Sequence, residues 1–69
     1  MKWAACVAND DHKASLEVRK IYRVIPDRKG KTLGMIRVID ESGEDYLYPS
    51  AMFENIAVAP PLERKLKRA

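Results

Sequence analysis

Residues 34–49, GMIRVIDESGEDYLYP, constrain the fold more than any other stretch of the chain. Two runs rich in β-branched and aromatic residues, 35–40 and 45–48, flank the short polar segment ESGE. This arrangement predicts a β-hairpin, with Gly43 in the positive-φ position that follows a type I turn. Glycine adopts that conformation without a Cβ clash. We therefore expect the chain to be organised around one antiparallel pair of strands.

Two further strands are predicted before the hairpin. Residues 2–8 place apolar side chains on both faces, a pattern that fits a strand and does not exclude a helix. The segment IYRVI at 21–25 is rich in residues that favour strands. Arg19-Lys20 interrupts the alternation ahead of it, so we expect one strand over residues 16–25 with a bend at this point.

The remaining connections are short. The polar segment DRKGKTLG at 27–34 contains two glycines, and we expect a loop there. Residues 49–53 suit one turn of 3₁₀ helix, and residues 55–58 a closing strand. Five short strands with tight connections predict an all-β fold, a small five-stranded barrel, because closure hides the edges of so small a sheet.

We divide the chain into a β-barrel at residues 1–59 and a basic C-terminal helix or tail at residues 60–69. Pro61 suits the first position of a helix, and Leu62 and Leu66 would then share one face. So short a helix is marginal in isolation, because its nucleation is costly. It forms only where the two leucines find a surface to pack on.

The positive charge of the chain is concentrated in this C-terminal segment. The formal net charge is +3, and residues 1–59 hold nine basic and nine acidic side chains. The cations that remain are candidate contacts for phosphate groups or for a partner, namely Arg64, Lys65, Lys67 and Arg68. Residues 1–59 carry no net charge, so they do not themselves indicate a nucleic-acid-binding surface.

Cysteine content and hydropathy indicate in which cellular compartment the protein lies. A single cysteine, Cys6, excludes an internal disulfide and favours a reducing environment. The apolar run at 3–8 is shorter than the about 7–15 residues of a signal-peptide core. No segment approaches the ~20 apolar residues of a membrane span. We expect a cytoplasmic protein that does not bind membranes.

No arrangement of residues predicts a catalytic, metal or cofactor site. A nucleophile such as Ser15 would need His12 as its base and a third group to orient that base. Cys6 is expected to be a small core residue. The consecutive residues 10–12, Asp-Asp-His, lack the spacing of a metal site. We therefore predict a protein that is not an enzyme and needs no cofactor.

Four carboxylates crowd the predicted hairpin tip, namely Asp40, Glu41, Glu44 and Asp45. General acid–base catalysis would require burial or a shaped cleft that shifts their pKa values. A solvated turn offers neither. We expect a charged tip that keeps the sheet edge soluble.

Three parts of the sequence carry a resemblance: KIYRVIPD at 20–27, IRVIDESGEDYLYP at 36–49, and then Phe53 and Ile56. In these the chain resembles a group of small, uncharacterised bacterial and phage-type proteins with a Src-homology-3-like barrel. The resemblance covers roughly residues 14–58 and implies the barrel fold, while the short C-terminal helix predicted above lies outside it. It implies no activity and transfers no functional residue. The Ala-Leu-Tyr-Asp-Tyr signature of the polyproline-binding members of the wider fold is absent.

Two functions remain open from the sequence. The first is a protein-interaction module with a shallow apolar surface, drawn from Trp3, Tyr22, Tyr46, Tyr48 and Met52. Aromatic residues and methionine are enriched at interfaces, and we expect two of these five to be exposed. Tyr46 and Tyr48 are the candidates that we name for that surface. The partner would be an unknown protein or a second copy of the chain.

The second function is non-specific nucleic-acid binding. Here the four C-terminal cations would contact phosphates, joined by Arg28, Lys29 and Lys31. A related possibility for self-association places the basic tail of one copy against the acidic hairpin tip of another, where opposite charges would steer association.

Overall fold

The computed structural model describes the backbone of residues 2–68 and the side chains of residues 2–66. The elements in chain order are β1 (Lys2–Cys6), β2 (Ile21–Ile25), α1 (Arg28–Thr32), β3 (Met35–Ile39), β4 (Asp45–Pro49), a 3₁₀ turn (Ser50–Met52), β5 (Phe53–Ile56) and α2 (Pro60–Arg68). Every strand pairing is antiparallel. The prediction of a mostly-β fold with five strands is confirmed.

The five strands form one sheet in the order β4-β3-β2-β1-β5. β1 therefore lies between β2 and the last strand, with Trp3 opposite Arg23 on one side and opposite Ile56 on the other. Among the described residues no ladder joins β4 to β5, so the sheet is open at that point. The expected closure into a barrel is not seen as a continuous ladder.

The predicted hairpin of β3 and β4 is confirmed, with Ile36 opposite Tyr48 and Val38 opposite Tyr46. Gly43 has a φ of +82°, as expected for the residue after a type I turn. Its amide donates to the carbonyl of Asp40 over 3.0 Å. The register of this pair places Tyr48 in the core and leaves Tyr46 accessible.

Several predicted strand boundaries are wrong. β1 ends at Cys6 instead of residue 8, because the amides of Val7 and Ala8 both turn to the carbonyl of Met52. Residues 16–18 are not a strand, since the Leu16 amide closes a turn onto the His12 carbonyl over 2.9 Å. The last strand is Phe53–Ile56 and not residues 55–58, so it begins directly after the 3₁₀ turn. The 3₁₀ turn itself is confirmed.

The polar segment expected to be a loop contains the short helix α1. Asp27 caps it, its carboxylate accepting the Gly30 amide over 2.8 Å. Gly30 is buried against β4, where a Cβ would lie 2.7 Å from Cδ2 of Leu47. Asp27 also pairs with Arg37 of β3 at 2.8 Å. α1 is thus held to the sheet by close backbone approach and by one ion pair.

Both faces of the sheet are apolar. One face carries the core, which consists of Ala4, Cys6, Leu16, Tyr22, Val38, Tyr48 and Phe53. Leu16 comes from the long β1–β2 connection and is fully buried, so this connection closes the core. The opposite face, which we call the outer face, carries the odd-numbered residues of β1, β2 and β3, because side chains alternate along a strand.

The C-terminal segment is helical and lies against the outer face. α2 begins at Pro60, one residue before the predicted first position, and the Glu63 amide donates to the Ala59 carbonyl over 2.9 Å. The Glu63 carboxylate accepts the indole N–H of Trp3 at 3.4 Å. Residue 69, included in the predicted helix, lies outside the described residues. Within residues 2–68 no helix has the length and apolar character that crossing a bilayer requires.

Candidate interaction groove

A groove of about 990 Å³ lies on the outer face, between β2, the end of β3 and α2. Its lining residues are Trp3, Arg19, Lys20, Ile21, Tyr22, Arg23, Ile39, Asp40, Glu41, Gly43 and Leu66. The groove thus combines an aliphatic floor with a rim of charged side chains. We call it the outer groove.

The floor follows from the strand alternation. Ile21 and Arg23 lie two residues apart on β2 and therefore on the same face, and Arg23 is paired with Trp3 of β1. Ile39 ends β3 on this face, opposite Asp45. Leu66 of α2 forms the far wall. The predicted packing of the C-terminal helix through its leucine face is therefore only partial, because Leu62 is 46% exposed.

Arg19 enters the groove from an unusual backbone conformation. Its φ is +75°, in the left-handed region that non-glycine residues seldom adopt. The Arg19 amide donates to the Cys6 carbonyl over 2.7 Å, and the Cys6 amide donates to the Lys20 carbonyl over 2.8 Å. These two bonds extend the pairing of β1 around the bend. The bend that the sequence predicted at Arg19-Lys20 is present, and both residues line the groove.

The sequence predicted that Asp40 is part of a solvated hairpin tip. This prediction is wrong, because Asp40 is only 5% exposed. Its carboxylate accepts the hydroxyl of Tyr48, and also the hydroxyl and the amide of Ser42. Burial acts to raise the pKa of Asp40, but these hydrogen bonds outweigh it and hold the pKa below its ordinary value. Asp40 is therefore an ionised structural acceptor and not a proton donor poised near neutral pH.

Glu41 is the second of these carboxylates that is held by side-chain hydrogen bonds. It accepts Lys20 Nζ at 2.8 Å and the Tyr22 hydroxyl at 2.5 Å. The bond from Lys20 and then that from Tyr22 lower the pKa of Glu41. Burial, followed by the bond to Glu41, raises the pKa of the Tyr22 phenol. The β1–β2 connection and the hairpin are thereby joined at the end of the groove.

The predicted phosphate or partner contacts lie mainly outside the groove. Arg64 and Lys65 are exposed on α2. The side chains of Lys67 and Arg68 lie outside the described residues. The three cations that were to join them are on α1, and none of them lines the outer groove: Arg28, Lys29 and Lys31.

The predicted aromatic surface is corrected by burial. Tyr48 is 4% exposed and belongs to the core, so it is not part of an exposed surface, whereas Tyr46 is 49% exposed. Trp3 and Tyr22 are buried and Met52 is half-buried. One of the five named residues is exposed instead of the expected two.

The three residues considered for nucleophilic catalysis, His12, Ser15 and Cys6, have structural partners. The His12 ring packs edge-on against Tyr48, with ring centroids 4.9 Å apart. Ser15 Oγ lies 2.9 Å from the Tyr48 hydroxyl oxygen. Cys6 is buried in the core, where burial raises the pKa of its thiol. In the part of the chain with described side chains, no three histidine, cysteine or carboxylate groups come together to form a metal site.

Sequence reasoning missed the outer groove. The signal was the apolar character of both faces of the sheet, since Trp3, Ile21 and Ile39 alternate with core residues on three strands. A sheet with two apolar faces needs cover on both sides. The two short helices supply that cover only in part. No family model, no curated protein and no solved structure matches the chain.

Proposed function

We propose that this chain is a non-enzymatic protein-interaction module that accepts a segment of another protein in the outer groove. One observation carries the proposal: a chain of 69 residues keeps an open groove of about 990 Å³ with an aliphatic floor. Concave, mostly apolar sites with a few polar groups at the rim are the common form of binding site.

The framework of this module is, in our proposal, a Src-homology-3-like barrel. The strand order supports it, because β1 pairs with both β2 and β5 and would bring the ends of a curled sheet together. The 3₁₀ turn directly before β5 and the long β1–β2 connection also fit that architecture. We place the module in the cytoplasm, in keeping with its single, buried cysteine.

Peptide selection tests the proposed function. Random octapeptides displayed on phage would be selected on the immobilised full chain. We expect enriched peptides to change the emission of Trp3, the only tryptophan, and to bind the Ile21→Ser variant at least tenfold more weakly. Ile25→Ser is the matched control, because Ile25 is also half-buried and on the outer face of β2 but does not line the groove. Peptides that bind both variants equally, or no enrichment, would refute the proposal.

Non-specific nucleic-acid binding is the second candidate function. The exposure of Arg64 and Lys65 on α2 favours it, since a basic helix face can contact phosphates. If the tail binds phosphates, the double variant Arg64→Gln/Lys65→Gln should lose retention on immobilised duplex DNA. Wild-type retention should also fall steeply with salt. Unchanged retention in the variant would exclude this role for the helix.

A further inference from the structure

We propose that the occupant of the outer groove is an extended, acidic segment of a partner protein in which aliphatic and acidic side chains recur two residues apart. The inference rests on the proposed function and adds the chemistry of the ligand.

The charge available to an occupant is positive. Five charged side chains line the groove, namely Arg19, Lys20, Arg23, Asp40 and Glu41. Lys20 and Glu41 neutralise each other at 2.8 Å. The Asp40 carboxylate is buried beneath donors from Tyr48 and Ser42.

Two cations are therefore left for a ligand. Arg19 and Arg23 are exposed and form no ion pair within the part of the chain that the structure describes. A guanidinium group binds a carboxylate through two parallel hydrogen bonds. An acidic partner would thus complete the rim of the groove.

The spacing of the groove residues matches an extended ligand. Ile21 and Arg23 are neighbours on one face of β2, so their Cα atoms are separated by about 6.6 Å. An extended peptide presents its own same-side residues at the same interval. An aliphatic side chain over Ile21 consequently places the side chain two residues away beside Arg23. Ile39 and Leu66 widen the aliphatic part of the floor.

The buried aromatic rings argue against single-stranded nucleic acid in this groove. Sequence-tolerant binding of single strands depends on exposed aromatic faces on which bases stack. The aromatic residues of the groove are Trp3, at 6% exposure, and Tyr22, at 4%. The exposed Tyr46 does not line it. The cations of the groove therefore face an aliphatic floor and not a stacking platform.

Arg19 supplies an independent observation. A non-glycine residue at a φ of +75° is strained, and such conformations cluster at binding sites, where the surrounding structure enforces them. Here the bond from the Arg19 amide to the Cys6 carbonyl fixes the backbone. The direction in which the arginine side chain leaves the chain is thus set before a ligand arrives.

A peptide titration tests the inference. The probe is a fluorescein-labelled octapeptide with leucine and glutamate alternating at every second position and serine between them. We expect saturable binding by fluorescence polarisation, and at least tenfold weaker binding when glutamine replaces glutamate or serine replaces leucine. An eight-nucleotide oligothymidylate should bind at least tenfold more weakly than the glutamate peptide.

Matched variants locate the charge effect. Arg19→Gln/Arg23→Gln should reduce the affinity for the glutamate peptide at least tenfold. Arg28→Gln/Lys29→Gln, which removes two exposed cations of α1 outside the groove, should leave it within twofold. Circular dichroism of both double variants would establish that they are folded.

Three results would overturn the inference: no saturable binding of the glutamate peptide, equal binding of the glutamine peptide, or tighter binding of oligothymidylate. Each is distinguishable from failure of the proposed function. Suppose that the selected peptides lose affinity for Ile21→Ser but contain no excess of acidic residues. The groove would then stand as an interaction site, and only the proposal of an acidic ligand would be refuted.

Discussion

The two faces of the sheet are both apolar, yet they are closed in different ways. The core face is covered by the chain itself, with Leu16 brought in by the β1–β2 connection and left 1% exposed. The outer face is covered by two short helices that leave a groove between α2 and β2. Side chains that pack completely contribute stability, whereas an apolar surface left open is available to a ligand. The contrast separates the residues that hold the fold from those that, in our proposal, contact a ligand.

Deleting the side chain that closes the core face should have the largest effect. Leu16→Ala should lower the free energy of unfolding by about 2–4 kcal/mol, because it removes a buried aliphatic group and leaves a cavity. Leu33→Ala is the control, since Leu33 is 75% exposed, and it should change stability by less than about 0.5 kcal/mol. Urea denaturation measures both. Similar effects of the two substitutions would contradict the assignment of Leu16 to the core.

The second-largest effect is expected at the two carboxylates at the end of the groove, Asp40 and Glu41, which should differ in how much they contribute to stability. Asp40→Asn should lower the free energy of unfolding by about 1–3 kcal/mol, because an amide supplies a donor where the hydroxyls of Tyr48 and Ser42 need an acceptor. Glu41→Gln should lower it less, since the Lys20 and Glu41 side chains are 48% and 32% exposed and their ion pair is screened by solvent. Thermal denaturation of both variants at pH 7 makes the comparison. A larger loss for Glu41→Gln would reverse the assigned roles.

Acid should destabilise the same region. The folded-state pKa of Asp40 lies below its ordinary value of 3.8, so its contribution is fully present above that value. It is lost as pH falls through the folded pKa, because the protonated carboxyl accepts fewer hydrogen bonds. Urea midpoints between pH 7 and pH 2 should fall on acidification below about pH 4, and less steeply in Asp40→Asn. Equal slopes for both proteins would contradict this account.

The smallest effect is expected on the outer face. Leu66→Ala should change the free energy of unfolding by less than about 1 kcal/mol, because Leu66 is only half-buried. It should nevertheless shift the emission of Trp3 to the red, since both residues line the groove. Leu62→Ala, at a more exposed position of α2, should leave the emission unchanged. An unshifted spectrum in Leu66→Ala would show that α2 does not shield the indole.

The hairpin could be predicted because its signals are local. Gly43 and the flanking β-branched runs specify the turn and the register within sixteen residues. α1 escaped prediction for the opposite reason, because five residues are too few to show a helical period. The local sequence signals for it were Asp27, which caps the helix, and Gly34, which follows the helix and has a positive φ.

The burial of Asp40 could not be predicted from its neighbours in sequence. It depends on the hydroxyl of Tyr48, which lies across the hairpin and which also lies 2.9 Å from Ser15 Oγ of the β1–β2 connection. The groove depends in the same way on segments distant in sequence, since Leu66 of α2 lines it together with residues of β2 and β3. Pattern reasoning found the two apolar faces of β1 and could not show how much of the second face the helices would cover.

The left-handed backbone at Arg19 has an evolutionary consequence. Glycine would relax that strain, so a library randomised at position 19 and sorted for thermal resistance alone should drift away from arginine. Sorting the same library for capture of an acidic peptide should restore arginine. The residue would then mark a trade-off between durability and recognition, confined to one position of the chain.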